Sequence, residues 1–302
     1  MKILPFASLW LTLAACAGEA GPALAATAAT RPQRILPANA AWVDALSLLV
    51  GPERVVALPG EAFGYSRLTQ AQTGWAALPT LAVFEAERLL ALQPDLVLAH
   101  AWQNPETIAT LRRAGIPVLA THVPESWNDV TESLLTLGTA LGEDGRARQV
   151  VAELEARRVA LRARAERFAG LRALTYTNLG AGGWTAGAGT TGDVLLGLAG
   201  LENAAARAGL RGDATADGER LLALAPDLFV VGRPDASEHS PPSAEFLLAE
   251  PALAHLEAVR ARRIVTLPPA LFTSASPELL TGAERLVDAL EALERAGGPL
   301  PR

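Results

Sequence analysis

The side chains best able to grip a flat or charged solute stand just beyond short apolar runs in this 302-residue chain. Tyr65 and Arg67 follow RVVALP, His100 and Trp102 follow DLVLA, and His122 follows IPVLA. Trp184 follows RALTYTNL, Arg233 and His239 follow DLFVVG, and Phe272 follows RRIVTLP. Aromatic residues make up only 5% of the chain, so their gathering at such places is not what random placement would give. An aromatic plane covers a macrocycle or a catecholate at little entropic cost. Arginine adds a fork of donors for carboxylates at the rim of such a ligand. The histidines allow a second chemistry. A bare zinc or manganese ion would need about three His and a carboxylate around it, and His100, His122 and His239 are the candidates. The alternatives are one or two His completing the coordination of iron in an incompletely wrapped siderophore, or plain cleft and surface histidines.

Covalent chemistry has little to stand on. There is no nucleophile elbow, H-E-x-x-H, Walker loop or paired catalytic carboxylate, so neither an enzyme nor a resident cofactor is expected. GAGTTG at 187–192 matches G-x-G-x-x-G, but the preceding apolar run ends near Leu179, too early for a dinucleotide turn. A glycine-rich loop opening a helix, with Thr190 or Thr191 as N-cap, is the simpler reading. The net charge of −6 and the absence of basic runs argue against nucleic acid as a partner. Cys16 is the single cysteine, which excludes a disulfide framework.

The elements that would carry these side chains alternate. RILPAN, RVVALP, DLVLAH and IPVLATH read as buried parallel strands, and AAWVDALSLLVG (40–51), FEAERLLALQ (84–93) and PETIATLRRAG (105–115) read as the helices between them. The same grammar returns after 171: RALTYTNL, helices at 191–200 and 218–225, DLFVVG, a helix near 243–258, RRIVTLP and a final helix at 277–295. One helix–turn–strand phrase is nearly repeated, as ERLLALQPDLVLAH at 87–100 and ERLLALAPDLFVVG at 219–232. Between the two halves, residues 146–169 lack Gly and Pro and repeat apolar residues at three- and four-residue steps, which predicts one stiff helix of roughly 36 Å. Trp42 and Trp127 are expected to pack helices. The expected organisation is α/β: two Rossmann-like lobes with mostly parallel sheets, at 31–142 and 171–302, joined by a long helix over 143–170. Residues 1–25 read as an export signal with two competing processing sites, LAAC ending at Cys16, where a lipid would attach, and ALA ending at Ala25, which is preferred.

Two α/β lobes on a single helical spacer behind an export signal resemble the class III periplasmic binding proteins. The likeness runs over essentially residues 33–295 and is carried by RILPANAAWVDALSLLVGPERVVAL, ERLLALQPDLVLAH, RRAGIPVLA, TTGDVLLGLAGLENAA and ERLLALAPDLFVVG. In order and spacing these are similar to the substrate-binding subunits of importers for cobalamin, iron–siderophore complexes and haem. The resemblance implies a periplasmic monomer that binds a metal chelate between its lobes, with iron–siderophore first, a corrinoid close behind and haem third. His100 falls where a cobalamin binder carries a ligand-facing Trp, and Trp184 where it carries a ligand-facing Phe. The resemblance also implies that Glu87 and Glu219, which open equivalent helices, dock into arginine pockets on the two membrane subunits of the transporter. Glu85 and Asp217 are the substitutes if that register is off.

Overall fold

A strand covered by helices on both faces must be apolar throughout, and Leu96–His100 is buried at every position. The computed structural model describes residues 31–68, 74–178, 183–232, 242–272, 274–297 and 300–301. The expected leader with Cys16, and the candidates Arg233 and His239, lie outside the described residues. In chain order the first part comprises β1 (Ile35–Pro37), α1 (Ala40–Ser47), β2 (Leu58–Pro59), α2 (Ala62–Tyr65), β3 (Thr80–Leu81), α3 (Ala86–Ala91), β4 (Leu96–His100), α4 (Pro105–Arg113), β5 (Val118–Thr121) and α5 (Trp127–Leu141). Strands β1, β4 and β5 form a parallel sheet with β4 central, and β2 pairs with β3 in a parallel sheet of two. Helix α1 stops four residues short of the expected Gly51. Its last residue, Ser47, donates its hydroxyl to the Asp44 carbonyl at 2.7 Å, a local bond that competes with helix propagation.

The spacer forms as α6 (Asp144–Ala165), 22 residues or about 33 Å, with Ala147, Val150, Leu154, Leu161 and Ala165 buried. It does not continue as α-helix to 169, because Glu166–Phe168 tightens into a 3-10 turn. Outer arginines of α6 and of the turn after it bind the last helix, α13 (Glu278–Gly297): Arg157 pairs with Glu284, Arg164 with Asp288 and Glu291, and Arg167 of the turn with Glu294. Each exposed pair is worth little alone, but the series fixes the face that α6 presents. One apolar core passes from Ile35 and Leu98 in the first half through Leu154 and Leu161 of α6 to Leu228 and Leu286 in the second. Burial is therefore shared across the spacer, and Arg31–Arg302 forms one unit.

The second part comprises β6 (Arg172–Asn178), β7 (Gly183–Ala186), α7 (Thr191–Leu198), β8 (Glu202–Asn203), α8 (Ala204–Arg207), β9 (Asp213–Ala216), α9 (Gly218–Leu224), β10 (Leu228–Gly232), α10 (Ser243–Ala249), α11 (Glu257–Arg260), β11 (Ile264–Leu267), α12 (Pro269–Phe272) and α13. Its sheet runs β11-β10-β6-β7-β9, with β8 also on β6. The expected parallel core is β11-β10-β6. The antiparallel extension by β7 and β9 was not anticipated: each has four residues, and Gly-rich sequence flanks them. The expected helix near 243–258 is interrupted at Pro251, which has no N–H for a helical bond and begins a 3-10 turn.

The repeated phrase has one geometry. α3 leads to β4 and α9 to β10, and the residue before each proline, Gln93 or Ala225, turns the chain with a positive φ of 47° or 39°. The following aspartate then pins the new strand to its neighbour. Asp95 accepts the backbone N–H of Gln33 and Arg34 at 2.7 and 2.9 Å, and Asp227 accepts that of Arg172 at 3.0 Å.

A candidate ligand cleft at the strand ends

In open parallel sheets the loops beyond the carboxyl ends of the strands are free to hold ligands, and here those of the two sheets meet. A cavity of about 250 Å³ is lined from the first half by Asn39, Glu61, Tyr65, His100, Trp102 and Val123, and from the second by Thr191, Ser274 and Ala275. Tyr65 and Trp102 are exposed at 43% and 61%, whereas His100 between them in sequence is buried. The His100 ring stacks on Trp42 with centroids 5.4 Å apart and lies 6.5 Å from Trp102. Trp42 is buried, as expected of a helix-packing residue, and so supports the floor of the cleft.

The protonation of His100 follows from its neighbours. Asn39 caps α1, its Oδ1 accepting the Trp42 N–H at 3.1 Å, and this orients the amide. Its Nδ2 therefore faces His100 Nδ1 at 3.0 Å and donates to Gln103 Oε1 at 3.1 Å. Gln103 in turn accepts the backbone N–H of His100 at 2.9 Å and donates to the Ala38 carbonyl at 2.9 Å. With a donor facing Nδ1, a neutral ring must carry its proton on Nε2. Burial pushes the imidazole down to about 4, so it is neutral under ordinary conditions. A metal-bound histidine normally donates its second ring N–H to an acceptor. His100 has no such hydrogen on Nδ1, and its neighbours prepare it as a hydrogen-bond donor instead.

The other candidates separate. Arg67 turns to α13, bonding Glu278 at 3.0 Å, and does not line the cavity. Trp184 is 42% exposed on β7, opposite Thr177 and Thr215, and also stands off the cavity wall. Phe272 is 6% exposed in the core, where its ring lies against Gly232, and does not line the cavity. His122 is exposed and borders a different depression beside Glu125, Asp129 and Glu132. Among the described residues no group of three or more His, Cys, Asp or Glu is placed to hold a metal ion. Trp127 is buried and its indole N–H binds Glu155. A wider groove of about 930 Å³ runs along α5, α6 and α7, but its charged residues sit on helix flanks and its one aromatic side chain is Trp127. Chemistry favours the smaller cleft. Thr190 caps α7, accepting the Asp193 N–H at 3.1 Å, and this accounts for the GAGTTG loop.

Glu87 and Glu219 are both exposed in the first turns of α3 and α9. Their substitutes are occupied locally: Glu85 pairs with Arg88 at 3.4 Å, and Asp217 caps α9 through the Arg220 N–H. Neither Glu87 nor Glu219 joins an ion pair among the described residues.

Sequence comparison decides the kinship. A profile of the family described as periplasmic binding protein matches residues 79–271. The chain belongs to the periplasmic binding protein family. Members of this family bind solutes outside the cytoplasm, and none of the described helices is long and apolar enough to cross a membrane. This periplasmic binding protein is similar to the uncharacterized ABC transporter substrate-binding lipoprotein YvrC of Bacillus subtilis (strain 168), 25% identical over 68% of this chain and 64% of that one. Among solved structures it is similar to the periplasmic heme-binding protein RhuT from Roseiflexus sp. RS-1 in apo form, with 28% identity, a TM-score of 0.73 and coverage of 85% of this chain and 98% of that one. It is also similar to a periplasmic heme-binding protein from Pseudomonas aeruginosa, with 26% identity, a TM-score of 0.71 and coverage of 85% and 92%.

Asn39, Glu61 and Ser274 also line the cavity and are not expected from the sequence, whereas Thr191 stands in the GAGTTG segment that the family resemblance places at the entrance to the second half of the cleft. Asn39 carried a signal, as a capping residue directly after a strand. Glu61 precedes α2 and Ser274 follows α12, and their approach to the cleft depends on tertiary packing.

Proposed function

We propose that this periplasmic binding protein is the solute receptor of an ABC importer and that haem is its ligand. This moves haem ahead of the siderophore and corrinoid choices. The observation that carries the reading is the pair of exposed aromatic rings, Tyr65 and Trp102, at the mouth of a cleft floored by a neutral, donor-poised His100. Flat rings cover a flat macrocycle, and the enclosed volume, about 250 Å³, suits an edge-on ligand that stays partly exposed. The likeness to two haem-binding receptors supports the same choice. The bare-ion reading has no donor set among the described residues. Purified protein titrated with haemin, cobalamin and a ferric hydroxamate should give a saturable change in the haemin spectrum alone. Tight binding of either other chelate without haemin overturns the assignment.

Delivery, in this reading, uses Glu87 and Glu219 as a pseudo-symmetric pair of anions facing a permease with two subunits, the receptor acting as a monomer. Glu87→Arg combined with Glu219→Arg should abolish uptake in cells and leave haemin affinity within about twofold, since rim charges act on encounter rather than on a distant pocket. Uptake that persists in the double variant removes the docking role. The receptor is held at the membrane through Cys16 or freed by cleavage after Ala25, which the mass of the mature protein distinguishes.

A further inference from the structure

We infer that Asp44 is a positioning residue for the ligand: through Ser276 it decides whether Ser274, on the cleft wall, offers a hydrogen or a lone pair. The inference deepens the haem reading and rests on it for the ligand, but the hydroxyl chain itself stands on geometry. Asp44 is 4% exposed and is the one charged residue of α1. Ser66 donates to its Oδ1 at 2.6 Å, and Ser276 Oγ lies 3.5 Å from its Oδ2. The Oγ atoms of Ser276 and Ser274 are 2.6 Å apart, and either can be the donor. Ser276 Oγ also accepts the Glu278 N–H at 3.2 Å, so its single hydrogen goes to Asp44 or to Ser274.

Two arrangements satisfy this chain. With Asp44 ionised, Ser276 donates to the carboxylate and Ser274 donates to Ser276, leaving Ser274 with lone pairs toward the cleft it lines. With Asp44 protonated, the carboxyl donates to Ser276, Ser276 donates to Ser274, and Ser274 donates into the cleft. A ligand with carboxylates, as haem has, is met by a donor in the second state and by an acceptor in the first.

The surroundings put the change within reach. Burial pushes the Asp44 carboxyl up to about 7; the Ser66 and Ser276 hydrogen bonds oppose this, Glu278 adds to it and Arg67 subtracts. Glu278 opens α13, and Arg67, in the loop after α2, is bonded to it. α1 is also faced by Glu61, which accepts the Ala40 N–H at 3.1 Å, by the neutral His100 of β4, and at its C-terminal cap by Arg146 of α6, which donates to the Leu48 carbonyl at 3.0 Å.

The test uses haemin and haemin dimethyl ester against wild type, Asp44→Asn and Ser274→Ala from pH 5.5 to 8.5, with folding checked by circular dichroism. The wild-type affinity for haemin should fall roughly tenfold across this range, about the worth of one hydrogen bond to a charged group. The ester should show no such fall, and Asp44→Asn should hold the acid-side affinity throughout. Independently of any ligand, the infrared spectrum of wild type minus Asp44→Asn should show a protonated carboxyl band that disappears as pH rises. Its midpoint should move in Ser274→Ala. A haemin pH slope that survives in Asp44→Asn overturns the inference, as does a band that is absent at pH 5.5 or indifferent to Ser274→Ala. Failure of haemin to bind while the band titrates and responds to Ser274→Ala supports the hydroxyl chain and overturns only the haem reading.

Discussion

The repeated phrase ends differently in the two halves, and that difference locates the cleft chemistry. ERLLALQPDLVLAH closes on His100 and ERLLALAPDLFVVG on Gly232, at the same position of equivalent strands. At the end of β4 the imidazole lies among Trp42, Trp102 and Asn39 and lines the cavity. At the end of β10 the missing side chain is replaced by Phe272, which returns from α12 and fills the space. The first half thus presents a strand end to the cavity, and the second seals its own. Small polar residues, Thr191 and Ser274, are what the second half contributes to the cavity. One strand-end position therefore serves as cavity floor or as core plug, according to whether a side chain from another element reaches it.

The sharpest way to separate the halves is by pH, because the first half buries two ionisable groups with opposite linkage. His100 falls from 6.5 to about 4 on folding, so its contribution is present above pH 6.5 and is lost as pH falls through about 4, on the order of 3 kcal/mol in all. Asp44 rises from 3.8 to about 7, so its contribution is present below pH 3.8 and is lost as pH rises through about 7, on the order of 4 kcal/mol. Between pH 4 and 6.5 the two nearly cancel. Urea denaturation should therefore show wild-type stability changing little across that window, rising toward acid in His100→Phe and falling toward acid in Asp44→Asn. Parallel curves for all three proteins would contradict the assignment.

A smaller effect is expected from the rings. Trp102→Ala should weaken haemin binding roughly thirtyfold, about 2 kcal/mol, as truncation of an aromatic hot-spot contact does. Trp184→Ala, off the cavity wall, should change it less than threefold. Equal losses would put β7 at the ligand and enlarge the site. Smallest is the effect of giving β10 a side chain. A Cβ at Gly232 would lie 2.9 Å from Phe272 Cδ1, so Gly232→Ala should cost about 1–2 kcal/mol of stability through overpacking while leaving haemin affinity unchanged. A neutral outcome would mean that Phe272 is free to move aside.

Much of the fold was legible because it depends on local rules. Apolar runs became strands where helices cover both faces, Pro94 and Pro226 stopped their helices, and the unbroken register from Ala147 to Ala165 produced a rigid spacer. The antiparallel pair β7 and β9 was not legible, since strands of four residues take their partners from the sheet edge beside them. The site divides in the same way. Tyr65, His100 and Trp102 were expected at one cleft because each follows a strand of the first half, and all three line the cavity. Phe272, Arg67 and Trp184 follow the same rule in sequence, yet each is directed elsewhere by a contact the local pattern does not contain: Gly232 for the phenyl ring, Glu278 for the guanidinium, and the β6 and β9 neighbours for the indole.

The sequence by itself determined the alternation of elements, the repeated helix–strand unit, the stiff spacer and the family, because periodicity, capping and helix termination act within a few residues. Only the tertiary structure decided which strand-end side chains face the cleft, that His100 carries its proton on Nε2, and that Asp44 is buried between Ser66 of its own half and Ser276 of the other. Those outcomes depend on the water excluded and the partners supplied when distant segments close on one another, and neither quantity is written in the local order of residues.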